Sequence, residues 1–445
     1  MRRSVFVVVL FVHILWGAGS LNTSFGNGGA SIVAVSGYLQ TIPVKTLVDG
    51  SGNIYIAGNA RTPGSDIFIA KLDSSGALDP SFGVGGVVVK DINSNSFDTA
   101  RDALIDGGYL YIVGDSNGDF LLIKYDLLGN LISAFDLDGI KTQNIGTSDR
   151  GEALAKRGNV LYVGGSTKVA NVKKFINIRF DAISGAYLGD TRLTAPTVGS
   201  YSADDILIDT SGNQYLLGTI KVGNLNRDLY LLKFLPNSTL DSSFANNGAL
   251  QVDGNGGSDD YGVKLLLHSN GMLTIIGNDS LPDEKAIVVR IFDTGQLDSG
   301  FDGDGIKLIG FGTQSLWVGD ALLDSNGDIY MVGDYQTQSQ HGIFVYKMDM
   351  AGAPKSDFGN SGLSTVSDSS TQATFMRSIT LDQDKLIAAG RLSLGEAGPS
   401  PTIVMEFSTS DPSEVSVPLS RSGLLFLMLL IGVFALLRTK RLTLL

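Results

Sequence analysis

The chain has 445 residues, a formal charge of −12, 43% hydrophobic residues, 56 glycines and no cysteine. Disulfides and thiolate metal sites are therefore excluded, and no Gly-X-Y period marks a collagen. Nucleic acid is not expected as a partner, because phosphate binding calls for the opposite charge.

The chain opens with Met1-Arg2-Arg3, followed by an apolar run at 5–16 and the small residues Ala18-Gly19-Ser20. This order reads as a signal peptide over residues 1–20, cut after Ser20. The apolar run is only about a dozen residues, whereas a spanning helix needs roughly 20, which argues against an N-terminal anchor. The body is thus expected outside the cytoplasm, where it must be held by packing and sheet pairing alone.

From residue 21 to about 411 one unit recurs. Its clearest marker is a short strand ending in glycine: IYIAG at 54–58, LYIVG at 110–114, LYVGG at 161–165, QYLLG at 214–218, LTIIG at 273–277, IYMVG at 329–333 and LIAAG at 386–390. The closing glycines lie 56, 51, 53, 59, 56 and 57 residues apart, a period that signals a repeat architecture. A second marker runs in phase with it: LNTSFGNGG from Leu21, LDPSFGVGG from Leu78, LDSSFANNG from Leu240 and LDSGFDGDG from Leu297, with weaker forms from Leu131 and Pro354. The fourth unit, near 187–191, has lost it. This pair of markers resembles the delta-60 repeat of bacterial exported proteins. The resemblance implies a β-propeller and carries no defined chemistry with it.

The residues themselves point the same way. Each unit holds four short apolar segments, alternation such as that at 343–348 argues strands, and no stretch of the body sustains a helical period. Turns such as Asp49-Gly50-Ser51-Gly52-Asn53 join the first two strands. Four strands in each of seven units predict an all-β, seven-bladed propeller, a form without long exposed sheet edges. The segment at 30–35 has no blade before it, and the last unit ends at 402–407 with three strands, so the N-terminal strand is expected to complete the last blade. An open superhelical array is the alternative.

Alignment of the units on the first hairpin turn brings Lys45, Asp102, Glu152, Asp205, Lys264, Asp320 and Ser378 to one position, expected near one mouth of the central channel. Neighbouring loops add Asp98, Asp149, Asp204, Asp259 and Asp260. A ring containing Asp102, Glu152, Asp205 and Asp320 could bind a cation or basic ligand, or be neutralised by Lys45, Lys264 and water. The Asp-rich turns at 324–328 and 302–305 offer oxygens to calcium but lack the loop length and closing Glu of an EF-hand, and Asp and Gly are also what tight turns demand. No cofactor is expected other than a divalent cation such as calcium. Trp317, Tyr201, Tyr261 and Phe375, expected in loops before the inner strands, could stack on sugars. Beyond the leader only His268 and His341 remain, so Ser-His-Asp, Cys-His and zinc chemistry have little to draw on.

The chain closes with Val417-Pro418-Leu419, an apolar run to Leu437 and the basic cluster Arg438-Thr439-Lys440-Arg441. This arrangement resembles the C-terminal sorting signals of the PEP-CTERM and IPTL-CTERM type, which implies membrane contact through residues 412–445 before processing and delivery to the cell surface. A plain C-terminal anchor is the alternative. The expectation is an exported propeller with a monomeric body, at the cell surface, outer membrane or outside the cell. It would act as a non-enzymatic module for adhesion, matrix association or capture of a glycan or protein. The alternative is an exported polysaccharide hydrolase or lyase with its site at the channel mouth.

Overall fold

The computed structural model describes residues 18–409, apart from 95, 195–200, 223–225, 255, 281–282, 313, 339, 368–372 and 395–398. The expected leader up to residue 17 and the sorting segment at 412–445 lie outside the described residues. Among the described residues no helix is long and apolar enough to cross a membrane.

The strands form seven antiparallel four-stranded sheets, the blades of a β-propeller. Blade 1 comprises Gln40–Val48, Ile54–Arg61, Ser65–Leu72 and Val87–Lys90, counted from the channel outward. The inner strands of blades 2 to 7 are Asp98–Asp106, Asp149–Arg157, Tyr201–Ile208, Asp260–Leu267, Ser315–Leu323 and Ala373–Asp382. Blade 7 has three strands from the C-terminal end of the body, and its outer strand is Ala30–Val33. Ala30 lies opposite Met405 and Val33 opposite Thr402. The ring is therefore closed by the N-terminal strand, as the complementary ends of the repeat predict.

Each blade packs against two neighbours, and that geometry explains the composition of its strands. The second strand of blade 1, Ile54–Arg61, is buried at every residue except the last, because both of its faces meet another blade. The outer strand Ile140–Gln143 is only partly covered. Apolar side chains gather into seven clusters, one at each blade junction. The cluster at the closing junction joins Ile54, Ile56 and Phe68 of blade 1 to Ile387, Ala389 and Val404 of blade 7, and Phe25 and Val33 complete it.

The marker glycine lies inside each second strand, which runs on past it rather than ending there as the sequence suggests, and it has a steric cause. Every inner strand carries a β-bulge, after Pro43, Ala100, Gly151, Ala203, Gly262, Val318 and Met376. The marker glycines face these residues, and an inner-strand carbonyl turns towards each of them. A Cβ on Gly58 would lie 2.3 Å from the carbonyl oxygen of Ile42, one on Gly114 1.8 Å from that of Thr99, and one on Gly333 2.0 Å from that of Trp317. The second marker has a packing cause: Phe25, Phe82, Phe135, Phe244, Phe301 and Phe358 are all buried. In that marker Asp79 Oδ1 accepts from the Ser81 amide and hydroxyl at 3.0 and 2.6 Å, which holds the turn.

Candidate functional site at the channel

The bulge sorts the inner-strand residues into two rings. The residues left unpaired are Val44, Arg101, Glu152, Asp204, Val263, Gly319 and Arg377; those that follow are Lys45, Asp102, Ala153, Asp205, Lys264, Asp320 and Ser378. Glu152 therefore departs from the aligned position. The blade 3 hairpin opens at Arg157, paired with Val160 as Asp106 pairs with Tyr109, which moves Ala153 into the ring and Glu152 into the bulge. The ring also lies deeper than the sequence alignment suggests. Lys45 and Asp102 sit midway along Gln40–Val48 and Asp98–Asp106, not at a mouth.

In that ring the acids bind backbone of the next blade. Asp102 accepts from the Leu154 amide at 2.9 Å, Asp205 from Leu265 at 2.8 Å and Asp320 from Ile379 at 3.1 Å. Ser378 accepts from Thr46 at 2.8 Å and carries the pattern across the closing junction. Lysines meet two of the acids, Lys264 at 2.8 Å from Asp205 and Lys45 at 3.5 Å from Asp102. Burial opposes the Lys45 charge, yet Asp102, Asp320 and Asp205 outweigh it and hold its pKa above the ordinary lysine range. Burial likewise pushes Asp205 up against the pull of Lys264. The acids of the ring are thus latches between blades, with amide and lysine partners.

Chemistry of a different kind gathers where the inner strands begin. Arg101 lies 2.6 Å from Asp115 and 3.2 Å from Glu152. Burial raises the Glu152 pKa in spite of Arg101 and Arg150. Burial also lifts Asp204 to about 7, against hydrogen bonds from Thr219 and Ser202, with Glu152 and Asp205 adding repulsion. Lys173 is pushed down by burial. On blades 5, 6 and 7 the same end carries Tyr261, Trp317 and Phe375, half-buried and inside the inner strands rather than in the loops before them. The side chain of Tyr201 lies outside the described residues. Tyr261 and Trp317 rings meet at 5.6 Å, and Arg227 bonds both Asp259 at 2.6 Å and the Tyr261 hydroxyl at 3.0 Å. Arg391 stands 4.9 Å over Phe375. Burial lowers its pKa, and the charges of Arg377 and Arg61 act in the same direction.

Other expected sites resolve into turn structure. Asp324 accepts from the amides of Asn326 and Asp328, and Lys347 and Lys355 each approach Asp328 to 3.2 Å. Lys307 binds Asp302 at 2.7 Å. His268 is buried against Thr274, and His341 opens a strand 3.7 Å from Asp334. Asp98 and Asp149 are fully buried, the first held by two hydroxyls and the Ile92 amide, the second by one hydroxyl and the Ile145 and Gly146 amides. Two clefts of about 700 and 640 Å³ lie away from the channel, one at the outer strands of blades 3 and 4 beside a loop of blade 5 and the other among the hairpin turns of blades 4 to 6. One feature escaped the sequence reading, the convergence of the acidic triad Asp228, Asp253 and Asp260. The triad has a linear signal, since 25 residues separate Asp228 from Asp253 as they separate Asp66 from Asp91, with Asp260 and Asp98 seven further on.

The fold and this channel define the chain as a seven-bladed β-propeller. No protein-family model and no curated protein matches it. Among solved structures it is similar to an ulvan lyase, described as a new family of polysaccharide lyase and bound to -[GlcA(1-4)Rha3S]-; the TM-score is 0.52 at 11% identity, over 89% of this chain and 95% of the other. It is also similar to a protein of unknown function from Dyadobacter fermentans, with a TM-score of 0.46 at 9% identity over 85% and 98% of the two chains. A third is the propeller domain of the Trilobed protease from Pyrococcus furiosus, at 0.44 and 9% identity over 83% and 98%.

Proposed function

We propose that this is an exported, non-enzymatic propeller that captures acidic polysaccharide at one mouth of its central channel. The observation that carries the reading is the row of half-buried aromatic rings on three consecutive blades, Tyr261, Trp317 and Phe375, accompanied by Arg227 and Arg391. Aromatic faces stack on the apolar faces of sugar rings, and guanidinium groups pair with carboxylate or sulfate in fork geometry. The charges of Arg377 and Arg61 act on Arg391 and add to the positive potential there. The leader and the C-terminal sorting motif favour a place outside the cytoplasm, and the ring closes within one chain. A second reading, a polysaccharide hydrolase or lyase at the same mouth, is favoured by one specific observation: the raised pKa values of the neighbouring acids Glu152 and Asp204.

Affinity electrophoresis of the full-length protein in gels containing polygalacturonate or a neutral glucan tests this. Retardation by the uronate polymer, weakened at least about tenfold by Trp317→Ala through loss of one stacking partner, is the expected result. Equal mobility in both gels would refute the proposal. Shortening of the polymer that Glu152→Gln abolishes would replace it with the enzymatic reading.

A further inference from the structure

At the junction of blades 4 and 5, three carboxylates converge from three different strands or loops. Asp228 lies on the third strand of blade 4, Asp253 follows that blade's outer strand, and Asp260 opens the inner strand of blade 5. One oxygen from each lies within 4.8 Å of the others. That is about twice the 2.3–2.6 Å calcium–oxygen distance, so a single ion can reach all three.

Acidic residues alone do not make a site; what distinguishes this group is Asp260. The residue has 0% exposure, and its Oδ1 is buried without a hydrogen-bond partner among the described residues. Oδ2 accepts from the Gly254 amide at 2.6 Å. The backbone there is drawn close to the carboxylate, since a Cβ on Gly254 would stand 3.1 Å from Oδ1. Burial raises the pKa of Asp260 to about 7, and Asp279, Asp253 and Asp228 all push in the same direction.

The molecule contains its own comparison. Asp66, Asp91 and Asp98 occupy the equivalent positions at the junction of blades 1 and 2 and converge in the same way. There the buried Asp98 receives hydroxyls from Ser96 at 2.8 Å and Ser116 at 2.6 Å, both on Oδ1. In blade 5 the counterpart of Ser116 is Asp279, directly opposite Asp260, and it takes the Ser258 hydroxyl at 2.9 Å for itself. A neutral donor has become a fourth carboxylate, leaving Asp260 Oδ1 unanswered. A buried oxygen among several anions is the arrangement that a bound cation would satisfy.

We propose that Asp228, Asp253 and Asp260 hold one calcium ion that ties blade 4 to blade 5. The donors are oxygens throughout, which suits a hard cation rather than zinc or copper. Calcium accommodates irregular sets of six to eight oxygens, whereas magnesium requires a near-ideal octahedron. Asp253 is exposed, so the ion reaches the site from solvent and water completes its shell. The proposal is independent of the polysaccharide reading, because the ion would act on the fit of two blades.

Calcium chloride titrated into chelator-stripped full-length protein is the test, by calorimetry and by thermal unfolding. One site per chain and a melting temperature that rises with calcium are expected, because an ion bound only to the folded state stabilises by mass action. Asp253→Asn, at an exposed position, should fold normally and weaken calcium binding by at least about tenfold. Asp260→Asn should melt at or above the parent in chelator and below it in calcium, a crossover that a merely structural aspartate would not give. Asp91→Asn, at the comparison junction, should leave the titration unchanged. No heat at millimolar calcium, or a titration unaltered in both the Asp253→Asn and Asp260→Asn proteins, would overturn the proposal.

Discussion

Asp102 illustrates how one residue type serves different ends at different depths of the channel. Its carboxylate accepts from the Leu154 amide of the next blade at 2.9 Å and pairs with Lys45 at 3.5 Å. It is almost buried, so its removal strands a donor and leaves Lys45 with fewer counter-charges. Asp102→Ala should therefore lower stability by about 2–4 kcal/mol, the cost of opening a largely buried, hydrogen-bonded pair. Urea unfolding of the two proteins measures this, and a difference within experimental error would show that the latch is dispensable. Asp260 has the same residue type and similar burial but lacks a donor on one oxygen, which is why it is read as a ligand and Asp102 as a fastener.

At the level of the element, the blade's first hairpin is built around a bulge and the glycine opposite it. The bulge frees one residue per inner strand from pairing, including Arg101, Glu152, Asp204 and Arg377. The glycine makes room for the displaced carbonyl. Gly114→Ala would place a methyl group 1.8 Å from the Thr99 oxygen, so the two strands must separate. A loss of about 1–3 kcal/mol is expected from such overpacking, read as a lower urea midpoint. The residue after this glycine is also put to use. Asn59 donates to the Ala100 carbonyl at 2.9 Å and accepts from the Ala100 amide at 2.8 Å, and Asn278 makes the same pair of bonds with Val318. In blades 1 and 5 the element that builds the blade thereby also fastens it to the next.

For the whole molecule, stability rests on closure, because the apolar clusters lie between blades. Ala30–Val33 pairs with Thr402–Ser408 and delivers Phe25 and Val33 to the closing cluster. Those two side chains alone represent about 3–6 kcal/mol of burial. Deleting residues 21–36 should lower the melting temperature of the entire ring in a single transition and expose Thr402–Ser408 as an edge prone to association. An unchanged melting temperature would mean that the N-terminal strand contributes nothing to closure.

The sequence by itself determined the number of blades, their strand content and the closing role of the N-terminal strand. Glycine and phenylalanine recur for local steric and packing reasons, and local causes leave a linear period. It also brought Lys45, Asp102, Asp205, Lys264, Asp320 and Ser378 to one level, since equal counting along similar hairpins gives equal height. Counting failed where a hairpin opens one residue later, and so misplaced Glu152. Only the tertiary structure decided which acids are answered by amides and lysines and which are not. Those partners come from the adjacent blade, 52 to 60 residues away, and nothing in one unit's own sequence specifies them. For the same reason a chain with a charge of −12 can set Arg391 over Phe375 within the field of Arg377 and Arg61. Net charge is a sum over the whole surface, whereas binding depends on what the ring brings together.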